Sequence, residues 1–162
     1  MTPTRNPAGQ GFGDATRQQT AAAPSVEAAT VDDREAVVAL WRACELTRPW
    51  NDPDHDFLQA VNGVTSAVLV VRDGEHVVGS VMVGFDGHRG WVYYVAVHPE
   101  ARRGGLGRVL MAAAEDWLVV RGAPKIQLMV REGNEVAAHF YQALGLERQA
   151  VITYGRLLNL PE

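Results

Sequence analysis

Seven consecutive residues, Arg102-Arg103-Gly104-Gly105-Leu106-Gly107-Arg108, bring together three guanidinium groups, three glycines and a single apolar side chain. The strand-like run GWVYYVAV ends just before them, and LGRVLMAAAEDWLVV, with apolar residues at helical spacing, overlaps their end. A glycine-rich turn between a strand and a helix N-terminus leaves several backbone N–H groups unpaired and convergent, which is the geometry of an anion site. Glycine suits it because a Cβ would block close approach of backbone to phosphate, and because such loops use φ > 0. Arginine adds charge that does not titrate. Two other phosphate loops do not fit. A Walker loop ends in G-K-[ST], whereas Gly107 is followed by Arg108 and Val109, and the glycine spacing departs from G-x-G-x-x-G.

The rest of the chain must position this loop. With 162 residues and 47% hydrophobic content it is long enough for one core and too short for two ordinary domains. Its formal net charge of −4 argues against a general nucleic-acid binder, so any basic site is local. No apolar run of membrane-spanning length and no signal peptide is visible, and a cytoplasmic protein without a membrane partner is expected. Cys44, the single cysteine, excludes an internal disulfide and reads as a packed thiol on an apolar helix face. His88, His98 and His139 have no metal-ligand spacing, and no metal is expected.

Residues 1–24, with three prolines and few large apolar side chains, read as a flexible tail, and residues 25–162 as one domain. SVEAAT is a short strand. Asp32 and Glu35 have the spacing of a capping box for a first helix that carries Val37, Leu40, Trp41 and Cys44 on one side and ends before Pro49. TRPWNDP leads to a second helix from Pro53 through Val61, capped by Asp52. SAVLVVRDGEHVVGSVMVGF forms a hairpin at Asp73-Gly74, with the strand 90–97 beside it. A third helix from Leu106 to about Arg121 buries Val109, Leu110, Ala113, Trp117 and Val120. KIQLMV is a strand, NEVAAHFYQALG a helix closed by Gly145, and LERQAVITYGRLL a last strand or hairpin. The order is α/β: an antiparallel meander, then a β-α-β crossover.

Residues 102–107 match the [QR]-x-x-G-x-[GA] signature of the GNAT superfamily of N-acetyltransferases, between the strand and helix that the signature requires. Asn134, Ala137, Tyr141 and Gly145 match a second motif downstream. The chain therefore resembles that superfamily over about residues 25–158, and TRPWNDP with YYVAV is similar to its bacterial YpeA-like branch. The resemblance implies a mixed, V-shaped sheet of about six to seven strands flanked by about four helices, splayed between the strand ending at Val97 and the strand 125–130. Acetyl-CoA would lie in the split, its pyrophosphate on the amides from Arg103 to Arg108 and its pantetheine along Val95, Ala96 and Val97. Arg102 belongs to the same loop, and Asn134 would bond the cofactor from the opposite wall.

Acetyl transfer to an amine needs a neutral nucleophile, a polarised thioester carbonyl and a proton for the departing thiolate. The second motif makes Tyr141 the proton donor; read without it, Tyr141 is a half-buried helix aromatic beside Phe140. The backbone N–H near Val95 would polarise the thioester. Many relatives carry a glutamate on the strand before the loop, yet no carboxylate occurs from Gly90 to Pro99, where Trp91, Tyr93 and Tyr94 stand. Glu45, Asp52, His55, Asp56 or a water molecule are the alternatives for the base. Glu45, Trp50, Asn51 and Tyr93 are the expected acceptor-side residues, with Trp50 read either as a pocket wall or as a buried plug.

The expected function is acetyl-CoA-dependent N-acetyl transfer to a primary amine of a small molecule or protein, by direct transfer in a ternary complex. The alternative is an acyl-CoA-binding sensor or assembly domain with little transfer, which the missing strand carboxylate favours and Tyr141 opposes. A homodimer is compatible with either.

Overall fold

The structure, a computed structural model, describes residues 24–158. The tail read at 1–24 lies, apart from Pro24, outside the described residues. Five strands form one sheet in the order β1 (Val26–Ala28), β2 (Ser66–Asp73), β3 (His76–Phe85), β4 (Gly90–Val97), β5 (Ile126–Gln127). The first four pair antiparallel and β5 pairs parallel to β4. Four helices accompany them: α1 (Arg34–Ala43), α2 (Pro53–Asn62), α3 (Leu106–Val120) and α4 (Glu135–Ala143). Among the described residues no helix is long and apolar enough to cross a membrane.

Strand alternation divides the core between two faces. Val68 and Val70 of β2 pack with Val37, Trp41 and Phe57 under α1 and α2. Leu69 and Val71 point the other way, to Leu110, Met111 and Leu118 of α3, and Phe140 and Tyr141 of α4 join that second cluster with Leu144 just beyond it. The β2–β3 turn falls at Gly74-Glu75, one residue later than expected, closed by Asp73 opposite His76. Of its two central residues only Gly74 has positive φ, +59°, as a type II′ turn requires.

Several local expectations need correction. A 3-10 turn, Val31–Asp33, precedes α1, so the box forms between Thr30 and Asp33, whose carboxylate accepts the Thr30 N–H at 2.8 Å, and not between Asp32 and Glu35. On α3 the fully buried residues are Leu110, Met111, Ala114 and Leu118; Ala113 and Trp117 are half-buried, and Val120 is 82% exposed. The helix is apolar on most sides, so spacing alone misplaced the face by about one residue. The strand 125–130 is reduced to Ile126–Gln127, and residues 146–157 carry no strand. A two-residue edge is too short to template a sixth strand, and apart from Leu146, which packs against the core, the apolar side chains of that segment such as Val151, Ile152 and Tyr154 face solvent. The sheet therefore has five strands among the described residues, fewer than the six to seven expected.

Candidate active site

Beyond Gly90↔Ile126 and Trp91↔Gln127, β4 and β5 no longer pair, and the sheet opens. The opening is a cleft of about 310 Å³, lined on one side by Val92, Tyr93, Tyr94 and Val95 and on the other by Leu128 to Arg131, Asn134, Ala137 and Tyr141. Leu46, Arg48 and Asn51, from the segment between α1 and α2, form its roof.

The Arg102–Arg108 loop leads into α3. Arg103 (φ +71°) and Gly105 (φ +77°) both sit in the left-handed region, which turns the chain sharply into the helix. The starts of α2 and α4 make the contrast, while α1 lacks a side-chain cap but has Glu35 in its first turn. Asp52 caps α2 by accepting from Asp54 and His55 N–H, and Asn134 caps α4 by accepting from Ala137 N–H at 3.1 Å. α3 has Gly105 at its cap position, no side-chain cap and no acidic residue in its first turn. The N–H groups of its opening turn are thus left for a ligand, and the positive end of the helix dipole points the same way. A Cβ on Gly105 would meet nothing within 4 Å, so the space over the loop is open.

Gly107 has a different reason to be glycine from the one expected. A Cβ there would stand 2.9 Å from Phe140 Cζ, so this position is reserved for the approach of α4 to α3. Two of the β4 positions also differ from expectation. Ala96 is buried towards α1 and opposite Ser80. The Val97 carbonyl already accepts from Arg102 Nε at 3.1 Å and from Cys44 Sγ at 3.3 Å, which turns the Arg102 side chain back onto the strand end. Val95 alone of the three lines the cleft.

Tyr141 is half-buried, its ring edge-on to Phe140 with centroids 5.0 Å apart. Burial pushes its phenol above the ordinary tyrosine value. Tyr93 is 44% exposed, stacks on Trp91 and is likewise pushed up, by burial and then by the Asp86 charge. Glu45 is exposed and absent from the lining, while its neighbours Leu46 and Arg48 are present. Trp50 is no plug, being 57% exposed; it reaches the cleft through Arg131, whose guanidinium lies 5.7 Å from its ring centroid.

Tyr94 was not singled out from sequence, and its backbone marks it. It has φ +48°, and the pairing shifts from Ser80↔Ala96 to Met82↔Tyr93, so three steps on β4 oppose two on β3. This β-bulge reverses the phase of the strand: Val92 and Val95 face α3, but Tyr94 and Ala96 face α1. The adjacent tyrosines within an otherwise alternating strand were the available signal. Burial and the Asp56 hydrogen bond hold the Tyr94 phenol well above the usual range. Among the described residues no cluster of histidine, cysteine or carboxylate could hold a metal ion.

Known proteins similar to this chain identify its family. An acetyltransferase of Pectobacterium atrosepticum is 46% identical over 127 residues, covering 78% of this chain and 90% of its own. The aminoglycoside N-acetyltransferase AAC(6')-Iy, in complex with CoA, superposes with a TM-score of 0.73 at 16% identity, over 85% of this chain and 96% of its own. A ribosomal-protein-alanine N-acetyltransferase from Brucella melitensis biovar Abortus gives 0.68 at 19% identity, over 83% and 100%. The model of the Acetyltransferase (GNAT) family matches residues 27–146, most of the chain, which accordingly belongs to the GNAT family of acetyltransferases.

Proposed function

We infer that the protein transfers an acetyl group from acetyl-CoA directly to a primary amine within a ternary complex. The observation that carries this is the cleft where β4 and β5 part, with an uncapped helix start beside it and a half-buried phenol on its far wall. The loop fits the pyrophosphate: the opening N–H groups of α3, the left-handed turns at Arg103 and Gly105, and the exposed Arg103 and Arg108 all offer positive potential to one region. The unpaired backbone of β4 beyond Trp91 suits the amide-bearing pantetheine arm, because each edge group can exchange a bond to water for one to the ligand. Asn134 spends its Oδ1 on the α4 cap, so its contribution from the opposite wall would be the amide nitrogen.

In the reaction the amine nitrogen bonds to the thioester carbon, the C–S bond breaks, and the sulfur takes a proton. The backbone N–H at Val95, beside the bulge, would hold the developing oxyanion. The Tyr141 hydroxyl would supply the proton. A phenol with a raised pKa is fully protonated at neutral pH, at the cost of a steeper transfer to the thiolate, whose thiol is the stronger acid by about one to two units even against an ordinary phenol. Two of the structural neighbours above are, by name, an aminoglycoside and a ribosomal-protein-alanine N-acetyltransferase; for this chain the acceptor class is a small-molecule amine, a peptide N-terminus or a lysine. The lone thiol of Cys44 suits a reducing, cytoplasmic setting.

The test is release of CoA thiol from acetyl-CoA with three acceptors: an aminoglycoside, an alanine-initiated peptide and an internal-lysine peptide. Amine-dependent release with at least one is expected, together with weaker acetyl-CoA binding at high salt. Tight acetyl-CoA binding without transfer to any amine would favour the sensor alternative. ATP binding as tight as acetyl-CoA would overturn the reading of the loop.

A further inference from the structure

The family reading leaves one step without an owner. An amine arrives at neutral pH as an ammonium ion and must lose a proton before it can attack, yet β4 offers no carboxylate.

The bulge brings a different group into the cleft. It turns Tyr94 onto Trp41, with centroids 4.0 Å apart and planes within 10°. Trp41 is itself fully buried and fixed by its Nε1 hydrogen bond to the buried Ser80 Oγ at 3.0 Å. The phenol is thereby clamped, and its hydroxyl donates to Asp56 Oδ2 at 2.7 Å, across 38 residues of chain. A left-handed tyrosine is a strained arrangement, of the kind that a fold retains where a side chain must be aimed.

The carboxylates around Asp56 are otherwise engaged. Asp52 is spent on the α2 cap. Asp54 pairs with Arg34 at 2.8 Å and Arg42 at 3.5 Å. Among the described residues Asp56 has no cationic partner; its recorded partner is the neutral phenol, which itself lines the cleft opposite Tyr141. A carboxylate lacking a counter-ion, linked by one short hydrogen bond to a hydroxyl in the cleft, is set up to receive a cation's proton.

Resting on the acetyl-transfer reading above, we propose that Tyr94 and Asp56 form the proton exit for the acceptor amine. The ammonium N–H bond breaks towards Tyr94 Oη while the Tyr94 proton moves along the 2.7 Å hydrogen bond to Asp56 Oδ2. Asp56, which is partly exposed, passes that proton to water and returns to carboxylate. The neutral amine attacks the thioester; its second proton leaves by the same route, and the thiolate is protonated from Tyr141, which solvent reprotonates. Two protons leave at Asp56 and one enters at Tyr141, so one is released for each amide formed. Tyr94 touches the substrate and is a catalytic residue, while Asp56 acts through it as a positioning residue and proton acceptor.

The experiment compares wild type, Tyr94→Phe and Asp56→Asn between pH 7.5 and 10, with whichever of the three acceptors above wild type uses fastest. Phenylalanine keeps the stack on Trp41, and asparagine can still accept the hydroxyl hydrogen bond but cannot take the proton. The exposed His55 on α2 is present in all three proteins. The other charged groups near the pair, Asp52, Asp54, Arg34 and Arg42 beside it, Arg48 on the roof and Arg131 on the opposite wall, are common to all three proteins, as are the phenols Tyr93 and Tyr141. Each variant should lose on the order of 10²-fold in kcat/KM for the amine at pH 7.5. Acetyl-CoA Kd should stay within about twofold. The loss should shrink about tenfold per pH unit towards the amine's own pKa, because the variants must draw on amine that is already neutral. A loss of equal size at every pH, or a wild-type profile in Tyr94→Phe, would overturn the proposal. Loss of acetyl-CoA binding would also overturn it, by exposing a structural role. Absence of transfer by wild type to any of the three amines would sink the transferase reading itself and this proposal with it.

Discussion

Replacing Gly107 by alanine separates what this position does in the structure from what its place in a phosphate loop suggests. Its missing Cβ faces Phe140, with Cζ at 2.9 Å and Cε2 at 3.1 Å, against about 3.5 to 4.0 Å for a relaxed carbon contact. The ring must give way by more than half an ångström, and overpacking of that kind costs about 1 to 3 kcal/mol. Alanine returns about 1 kcal/mol of helix propensity, so the net destabilisation is about 0 to 2 kcal/mol, or a Tm lower by about 0 to 8 °C for a chain of this size. Activity should fall much further than stability. α4 has no fully buried residue of its own, so the helix is the element that moves. It carries Phe140 edge-on to Tyr141 and begins at Asn134, so a shift of the helix displaces the far wall of the cleft; a misplacement of about 1 Å can cost 10²-fold in rate. Steady-state kinetics and thermal unfolding of Gly107→Ala, Phe140→Leu and the double variant form the assay. Leucine removes the outer ring atoms, so the double variant should regain at least tenfold in kcat over Gly107→Ala, a coupling of about 1.4 kcal/mol. Gly105→Ala is the control: nothing lies within 4 Å of its Cβ but its φ is +77°, so it should cost about 1 to 2 kcal/mol through the loop and raise the acetyl-CoA KM without any rescue by Phe140→Leu. If the double variant is no better than folded Gly107→Ala, the contact with Phe140 is not the reason for glycine, and close approach of phosphate is.

Tyr141→Phe should keep the fold and the acetyl-CoA affinity while lowering kcat and kcat/KM together by about 10² to 10⁴, measured where chemistry limits turnover; a wild-type kcat at saturating acetyl-CoA would remove the phenol from the mechanism. Trp50→Ala should raise the acceptor KM through loss of the Arg131 stack, and because the ring is 57% exposed the Tm should move by less than about 2 °C. Asp33 ties the start of α1 to β2 through Arg72 at 2.7 Å; burial alone would raise its carboxyl, but the Arg72 and Thr30 hydrogen bonds bring the balance below the ordinary value. Its contribution is therefore full above the unfolded carboxyl value and lost as pH falls through the folded one, so acid unfolding of Arg72→Met should begin at higher pH than wild type, with about 1 kcal/mol less stability at neutral pH. Coincident acid-unfolding curves would refute that coupling.

The parts of the site that could be read in advance are those fixed by local backbone chemistry. Gly105 with its positive φ at the turn into α3, Asp52 before a proline-initiated helix, and Gly145 with its positive φ after α4 each satisfy a constraint that acts within a few residues, and each adopts the local conformation expected of it. What escaped prediction depends on partners distant in the chain. Phe140, which accounts for Gly107, lies 33 positions away, and Asp56, which engages Tyr94, lies 38 away. The β4 bulge is a register event between two strands, invisible to the alternation of either alone, and it decides which of two adjacent tyrosines enters the core. Tyr93 stays beside Trp91 at the surface, while Tyr94 is turned onto Trp41. Had the strand remained regular, Tyr94 would have shared a face with Val92, beneath α3, and its hydroxyl would have been buried among Leu110, Met111 and Leu118 with no acceptor. The strain at one residue thus does two things: it avoids an unpaired buried hydroxyl, and it delivers that hydroxyl to the carboxylate of α2 on the roof side of the cleft. On the proton exit proposed above, a phenol that borrows its carboxylate from a helix takes the part that an acidic side chain on β4 would otherwise play, and the left-handed tyrosine and the carboxylate-free strand become two sides of one arrangement.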